Sequence, residues 1–256
     1  MLLQSIRYAP LILLFLISSC IPQNKLTYFQ HAPPSDEKQP VNRLEYLLQP
    51  GDILHVSILA SDPEMYDVFN PDMTRRINVR PGDTGDPALY LYGYTIDLEG
   101  DIHLPVMGSV KMAGLNLEQA QQAIHDQAKK YLVDATVTAK LINFSVTVLG
   151  EVRRPGRFYV YDHGFTLMDA LAQAGDLTNY GSRNVHVIRN TPNGLFFGQL
   201  DITKSQAVSD ELFYLQPNDL VYVEPLRAKR FGFDQFPFGV IFSSISTSLL
   251  LINFLR

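Results

Sequence analysis

The sequence predicts an α+β protein: a small β-rich domain, a second small sheet that carries one helix, and an apolar helix near the C-terminal end. Short runs of alternating apolar and polar residues mark the strands, and turn pairs such as Pro155-Gly156 separate them. Apolar residues at helical spacing occur at 116–131 and at 166–174, which places one helix with each sheet. The stretch from Phe238 to Leu255 has no charged residue.

The middle of the chain shows the clearest order of elements. A strand of alternating valines begins at Val146 and ends before the turn at Pro155-Gly156, and a second strand follows at hairpin distance. Thr166 is placed to cap a helix, and Gly175 is placed to end it in the left-handed conformation. Another strand is expected from Asn184 to Arg189. The unit is therefore strand, turn, strand, helix, strand.

This region resembles the SLBB (soluble ligand-binding β-grasp) domain of bacterial outer-membrane polysaccharide export proteins of the Wza type. The residues that carry the resemblance are Gly150, Pro155-Gly156, Thr166, Ala174-Gly175 and Val185-x-Val187-x-Arg189. The resemblance implies a β-grasp-like SLBB domain, which we expect over residues 144–225. One copy is visible, whereas longer members of the family carry two.

The first folded domain is expected over residues 44–143. The turn at Gln49-Pro50-Gly51-Asp52 leads into an alternating strand from Ile53 to Leu59, and Asn116 is placed to cap a helix at 116–131. Further strands are expected at 94–98, 102–104 and 135–144. The runs YLLQPGDILHVSI and DLEGDIHLPVMG resemble the N-terminal domain of the same export family. Residues 61–90 lack periodicity, and we expect a long insertion on the domain surface.

The end of the second domain repeats a feature of the first. The turn at Gln216-Pro217-Asn218-Asp219 leads into a strand at Leu220–Val223, as Gln49–Asp52 leads into the strand at Ile53. A hairpin turn from Thr191 to Gly194 and a strand at 195–201 are expected before it. We therefore expect two turns of similar construction, one before the strand at Ile53 and one before the strand at Leu220.

The N-terminal residues have the layout of a secretory signal. Residues 8–19 are apolar, follow Arg7 and run into Cys20, which is the single cysteine of the chain. Small residues, Ser18 and Ser19, precede it and resemble a lipobox. We expect residues 1–19 to be a lipoprotein signal peptide, Cys20 to be the lipidation site, and residues 20–43 to be a tether. The alternative is an ordinary cleaved signal with an incidental cysteine.

Residues 226–256 are expected to form a basic linker and a C-terminal membrane helix. Eighteen residues at a rise of about 1.5 Å per residue reach roughly 27 Å, which is close to the hydrocarbon thickness of a bilayer. The polar residues near one face, expected to face a pore, are Gly239, Ser243, Ser246 and Asn253. A single-pass anchor and a helix buried in the core are the alternatives. The resemblance implies that this helix lines a pore across the outer membrane.

Composition and motifs exclude several function classes. The net charge of −5 gives no basic field for nucleic acid. The six histidines are scattered, and no nucleotide-binding, nucleophile or metal motif is present, so we expect no catalytic residues, no metal and no cofactor. An enzyme such as a glycan hydrolase lacks a recognisable carboxylate pair. The group Arg153, Arg154 and Arg157 is expected to contact an acidic glycan or a neighbouring subunit, or to belong to a solvated turn.

The resemblance implies a structural transporter component. On that reading an outer-membrane lipoprotein, with its folded domains in the periplasm, assembles into a homo-oligomeric ring through which capsular or extracellular polysaccharide leaves. Its implied partners are the polysaccharide cargo, an inner-membrane co-polymerase or export partner, and membrane lipid. The alternative is a lipid-anchored periplasmic SLBB module that binds a soluble sugar or glycan without forming a pore.

Overall fold

The computed structural model describes residues 26–30, 45–60, 68–70, 93–162, 164–191, 194–230 and 238–254. The expected signal peptide, Cys20 and most of the expected tether lie outside these residues. The described chain folds around two separate hydrophobic cores, one built from residues 48–139 and the other from residues 146–223. The fold is mixed α+β, as the sequence predicts.

The first domain combines a three-stranded sheet with a two-stranded hairpin. Strand β1 (Ile53–Leu59) pairs antiparallel with β2 (Tyr94–Thr95) on one side and with β5 (Thr136–Leu141) on the other. Strands β3 (Asp101–Leu104) and β4 (Gly108–Lys111) form the separate hairpin. Alternate residues of β1 are buried, which confirms the predicted half-buried strand. The sequence pattern had not indicated β4 as a strand, and β2 is shorter than expected.

Helix α1 (Leu117–Ala128) packs on this domain through its small and branched apolar residues. Ala120, Ile124 and Ala128 are fully buried and lie on one helical face. Asn116 caps the helix as predicted, because its side chain accepts a hydrogen bond from the backbone N–H of Gln119. The Gln119 side chain accepts one from the Asn116 N–H in return, which completes a capping box.

Part of the expected surface insertion is buried, which corrects the prediction for that part. Phe69 and Asn70 are each only 4% exposed. The Asn70 side chain accepts a hydrogen bond from the N–H of Ile58 at 2.9 Å and donates one to the carbonyl of the same residue at 2.7 Å. A side-chain amide therefore satisfies the backbone of β1 where a neighbouring strand would otherwise do so. Most of 61–90 lies outside the described residues.

The second domain is a five-stranded sheet in the order β7-β6-β10-β8-β9. The strands are β6 (Ser145–Gly150), β7 (Gly156–Tyr159), β8 (Gly181–Thr191), β9 (Gly194–Asp201) and β10 (Leu220–Pro225). Strands β10 and β6 pair in parallel, and all other neighbours are antiparallel. The predicted inward residues Val185 and Val187 are fully buried. Two 3₁₀ turns, Ser205–Ser209 and Glu211–Phe213, connect β9 to β10.

Helix α2 (Leu167–Gln173) covers the buried face of this sheet. Thr166 caps the helix through a capping box with Asp169, as predicted. Gly175 follows the helix with a φ of 75°, the left-handed conformation expected at this position. Leu167, Ala170 and Leu171 are buried against the sheet, so the predicted helix stripe is confirmed.

The chain leaves the second domain through α3 (Arg227–Arg230) and then forms α4 (Phe238–Phe254). Lys229 in α3 forms an ion pair with Glu151 at 2.6 Å, so the basic linker is attached to the second domain. Every described side chain of α4 is exposed. The sequence predicts a membrane helix in this region. In the part of the chain that the structure describes, no helix combines the length and the apolarity that crossing a membrane requires.

We expect Gly150→Ala to destabilise the protein strongly. Gly150 has a φ of +93°, and a Cβ at this position would lie 2.0 Å from the carbonyl oxygen of Val223 in β10. Collision and backbone strain together should lower the free energy of unfolding by about 3 kcal/mol or more in urea unfolding experiments. Gly194→Ala is the control, since Gly194 also has a positive φ but has open space around it. Equal costs for the two variants would contradict the proposed collision.

Candidate functional site

A short N-terminal strap, Leu26–Gln30, lies on the second domain. The N–H groups of Phe29 and Gln30 donate to the carbonyls of Ile202 and Thr203 at 3.1 and 2.6 Å. Gln30 and Lys204 form a parallel bridge. This part of the expected tether is therefore bound to the folded body, which corrects the prediction for these residues.

Tyr28 gives the strap its side-chain attachment. Its hydroxyl donates to Oδ1 of Asp176 at 2.6 Å, and the guanidinium of Arg183 lies 5.4 Å from the centre of its ring. Arg183 also donates through Nε to the carbonyl of Leu26 at 3.1 Å. Burial, and then the neighbouring Asp176 carboxylate, raise the pKa of the Tyr28 hydroxyl, which therefore stays protonated as a donor.

Two turns of the same construction precede β1 and β10. In each turn an aspartate carboxylate accepts a hydrogen bond from the N–H of the glutamine three residues before it, at 2.9 Å for Asp52 and 2.8 Å for Asp219. The residue before each aspartate has a positive φ, 92° at Gly51 and 65° at Asn218. The predicted similarity of the two turns is thus present in their hydrogen bonds and backbone angles.

The two carboxylates differ in what neutralises them. Asp52 is 3% exposed, and its Oδ2 accepts a hydrogen bond from the Tyr46 hydroxyl at 2.8 Å. No ion pair joins Asp52 to a cation among the residues that the structure describes. Burial raises the pKa of the Asp52 carboxyl, and the hydrogen bonds from Gln49 and Tyr46 oppose that rise.

Asp219 is fully buried and is paired with Arg189. Nε of Arg189 lies 3.0 Å from Oδ1 of Asp219, and Nη2 lies 2.8 Å from Oδ2, so the contact is bidentate. Nη2 also donates to the carbonyl of Tyr214 at 3.0 Å. Side chains of both partners are almost completely shielded, at 8% and 0% exposure. Such a pair fixes the turn in one position because neither charge has water as an alternative partner.

The two turns face each other across a cleft between the domains. The cleft has a volume of about 140 Å³ and is lined by Gln49–Asp52 from one turn, Gln216–Asn218 from the other, Tyr46 and Asn190. The amides of Gln49, Asn190, Gln216 and Asn218 form no side-chain hydrogen bond with any described residue. The lining contains no lysine, arginine or histidine. The cleft therefore presents free amide groups and little positive charge.

The three predicted contact arginines bind parts of their own domain. Arg153 donates to the carbonyl of Gly175 at 2.6 Å, and Arg154 donates to that of Gln173 at 2.8 Å. Arg154 thus binds the last carbonyl of α2 and Arg153 binds the carbonyl of the glycine that follows the helix, where the helix dipole favours positive charge. Arg157 donates to the hydroxyl of Ser145 at 2.8 Å and lies 5.6 Å from the ring centre of Tyr159. Contact with a glycan or a subunit stays a prediction.

The predicted pore-facing residues Gly239, Ser243, Ser246 and Asn253 all lie in α4 and are exposed. The Ser243 hydroxyl donates to the carbonyl of Val240 at 3.0 Å. Three further hydroxyls, which are not among the predicted pore-facing residues, also donate to helix carbonyls; they belong to Ser244, Thr247 and Ser248. Ser244 bonds the carbonyl three residues before it, and Thr247 and Ser248 bond carbonyls four residues before them, as serine and threonine hydroxyls commonly do within helices. That they face a pore remains a prediction.

Among the described residues, no group of three or more histidine, cysteine, aspartate or glutamate side chains is arranged to hold a metal ion. The two turn carboxylates are already bound: Asp52 accepts from Gln49 and Tyr46, and Asp219 accepts from Gln216 and Arg189. The features with the geometry of a site are therefore the cleft, the strap and α4.

Comparison with known proteins agrees with the two domains. Residues 40–142 match the family profile described as polysaccharide biosynthesis/export protein, and residues 145–223 match that of the SLBB domain. The matches support the polysaccharide export family. The boundary between the two matches lies at the connection between β5 and β6.

Two curated relatives are both named EPS I polysaccharide export outer membrane protein EpsA. The protein from Ralstonia nicotianae (strain ATCC BAA-1114 / GMI1000) is 27% identical over 187 residues, which is 70% of this chain and 47% of the relative. The protein from Ralstonia solanacearum is 27% identical over 190 residues, which is 70% of this chain and 48% of the relative. The chain thus spans about half the length of the curated relatives it matches.

We expect Asp219→Asn to be costly because it leaves the Arg189 guanidinium buried without its counter-charge. Removing one partner of a buried ion pair should lower the free energy of unfolding by about 3–5 kcal/mol, measured by urea unfolding. Asp126→Asn is the control, since Asp126 pairs with Lys129 on the surface at 3.7 Å and should cost less than about 1 kcal/mol. A cost for Asp219→Asn as small as the control would contradict the structural role of the pair.

We expect Asp52 to make stability depend on pH. The folded-state pKa of Asp52 lies above its unfolded value, so the folded protein takes up the proton first as pH falls. The cost of the buried charge is present at neutral pH and is lost as pH falls through the folded-state pKa. As the pH falls from about 7 to about 4, the free energy of unfolding of the wild type should therefore rise relative to that of Asp52→Asn. Parallel profiles in urea unfolding would contradict this.

Proposed function

We propose that this protein is a non-catalytic component of the outer membrane that exports capsular or extracellular polysaccharide. The observation that carries the proposal is the order of three parts along the chain. A domain matching polysaccharide export proteins comes first, an SLBB domain follows, and an uncharged helix with exposed apolar side chains comes last. The names of the two relatives support the same cargo class and the same membrane.

We further propose that copies of the chain assemble into a ring. Strand β9 lies at one edge of the five-stranded sheet, and three consecutive apolar residues on it are exposed: Leu195 at 64%, Phe196 at 50% and Phe197 at 69%. Strand β7 forms the opposite edge. An exposed apolar edge strand favours association with another chain. Two different edges suit a head-to-tail contact, which closes into a ring when the rotation between copies allows it.

The attachment of the chain ends supports a position of the second domain next to the membrane. The strap Leu26–Gln30 is bound to this domain, and α3 is held to it by the Lys229–Glu151 pair. Lipidated Cys20, before the strap, would anchor the domain from one end, and α4 would contact the membrane from the other. The export domain would then point into the periplasm, toward an inner-membrane partner.

Helix α4 is the element that we assign to the membrane-bound ring. Its 17 residues span about 25 Å at 1.5 Å per residue, less than a hydrocarbon core of about 30 Å. Local thinning of the bilayer and association with neighbouring helices accommodate short helices. Four hydroxyls on α4 are satisfied by its own backbone, which reduces the cost of placing them in lipid. Gly239, Ser243, Ser246 and Asn253 would face neighbouring copies or the pore.

The second candidate is a lipid-anchored periplasmic module that binds a sugar or glycan and forms no pore. The observation that favours it is the cleft between the two domains, with its free amides. In this case α4 would have no role in passage of the cargo.

Export by the full-length protein tests the proposal. A strain that lacks the protein should lose surface polysaccharide and recover it on complementation with the wild-type chain. The double variant Ile245→Asp/Leu249→Asp should lower surface polysaccharide at least tenfold, because it places two charges on the apolar face of α4. The control Ile245→Leu/Leu249→Ile keeps that face apolar, and immunoblots should show equal amounts of both proteins.

Unchanged surface polysaccharide in the deletion strain would contradict the export function itself. Normal export by the double aspartate variant, at wild-type protein level, would contradict the role of α4 and favour the module without a pore. Electron microscopy of detergent-extracted wild-type protein should show closed rings. Single protomers would contradict the assembly.

A further inference from the structure

We propose that the cleft between the two turns binds one neutral sugar unit, a residue of the exported glycan if the proposed function holds. The binding site itself is argued from the cleft alone. It would use the side chains of Gln49, Gln216, Asn190 and Asn218, with the ring of Tyr46 beside them.

The free amides define the chemistry of the ligand. Each amide offers a donor N–H and an acceptor carbonyl, and a sugar hydroxyl needs both. The side chains of Gln49, Gln216, Asn190 and Asn218 line the cleft and form no hydrogen bond with any described residue. Four such groups from both turns and from β8 can surround one polyhydroxylated ring, whereas an apolar ligand would leave them unsatisfied.

The charge of the cleft selects a neutral ligand. Its lining contains no basic side chain, and Asp52 is its only carboxylate. The Arg189 guanidinium near the second turn is already paired with Asp219. A uronate or another acidic sugar would therefore meet a carboxylate and no free cation, which disfavours its binding. A neutral hexose or N-acetylhexosamine has no such penalty.

The size and position of the cleft limit what it holds. A cleft of about 140 Å³ is several times the roughly 10–15 Å³ that one water needs, and we expect it to hold one sugar ring and leave the rest of a glycan chain outside. One wall belongs to the first domain and the other to the second. A bound sugar would therefore contact both domains at once, and we expect it to stabilise their present arrangement.

Saturation-transfer difference NMR on the full-length protein in detergent tests this site. The probes are free D-glucose, D-galactose, N-acetyl-D-glucosamine and D-glucuronate. At least one neutral sugar should bind saturably, and glucuronate should bind at least tenfold more weakly than that sugar. The double variant Asn190→Ala/Asn218→Gly should weaken the neutral sugar at least tenfold. Asn218→Gly keeps the positive φ, because Gly51 occupies the equivalent position of the other turn.

Gln199→Ala is the matched control, since Gln199 is an exposed amide of β9 and does not line the cleft. Its affinity for the neutral sugar should equal that of the wild type. The proposal is overturned if no neutral sugar binds saturably, if the double variant binds as the wild type does, or if glucuronate binds more tightly. These binding results are independent of the export assay. Loss of binding with normal export would contradict the sugar site alone, and normal binding without export would contradict the export function alone.

Discussion

The buried ion pair between Arg189 and Asp219 determines the geometry of the second domain. Asp219 ends the turn that leads into β10, the central strand of the five-stranded sheet, and Arg189 lies on the neighbouring strand β8. Because both side chains are shielded from water, the turn can lie in one place only without leaving a charge unpaired. The parallel pairing of β10 with β6 depends on where this turn ends and β10 begins. The position of Gly150 against Val223 depends on it as well.

The first domain holds its turn in the same conformation without an ion pair. Its turn has the same glutamine-to-aspartate hydrogen bond, but a tyrosine hydroxyl takes the place of the arginine. The two turns thus hold their backbones alike while differing in charge, and they form the two walls of one cleft. The cleft between the domains is consequently lined by two hydrogen-bonded turns and by side-chain amides that form no hydrogen bond with any described residue.

The sequence predicts those elements that are held by contacts between residues close together in the chain. Asn116 and Thr166 cap helices through bonds to residues three positions on, so the sequence alone indicates them. The sequence does not indicate the docked strap, because its partner Thr203 lies far along the chain. Nor does it indicate the role of Asn70, because a side chain there takes the place of a strand beside Ile58. The sequence shows the arginines near Pro155 as a group, but the contacts of Arg153 and Arg154 at the end of α2 depend on tertiary packing. The cleft could not be foreseen, although the similarity of its two turns could.

The docked strap sets a limit on movement. Six peptide units separate Cys20 from Leu26, and a fully extended chain covers at most about 3.6 Å per residue, or about 20 Å in all. If Cys20 carries the proposed acyl chains, this short segment holds the second domain within about one small-domain diameter of the lipid surface. This connection would lengthen only if the whole strap detached, because the backbone bonds to Ile202 and Thr203 and the contact of Arg183 hold it together with the Tyr28 hydroxyl. On that proposal the strap sets the length of the spacer, because the position at which it binds the second domain fixes how many residues remain between Cys20 and the folded body.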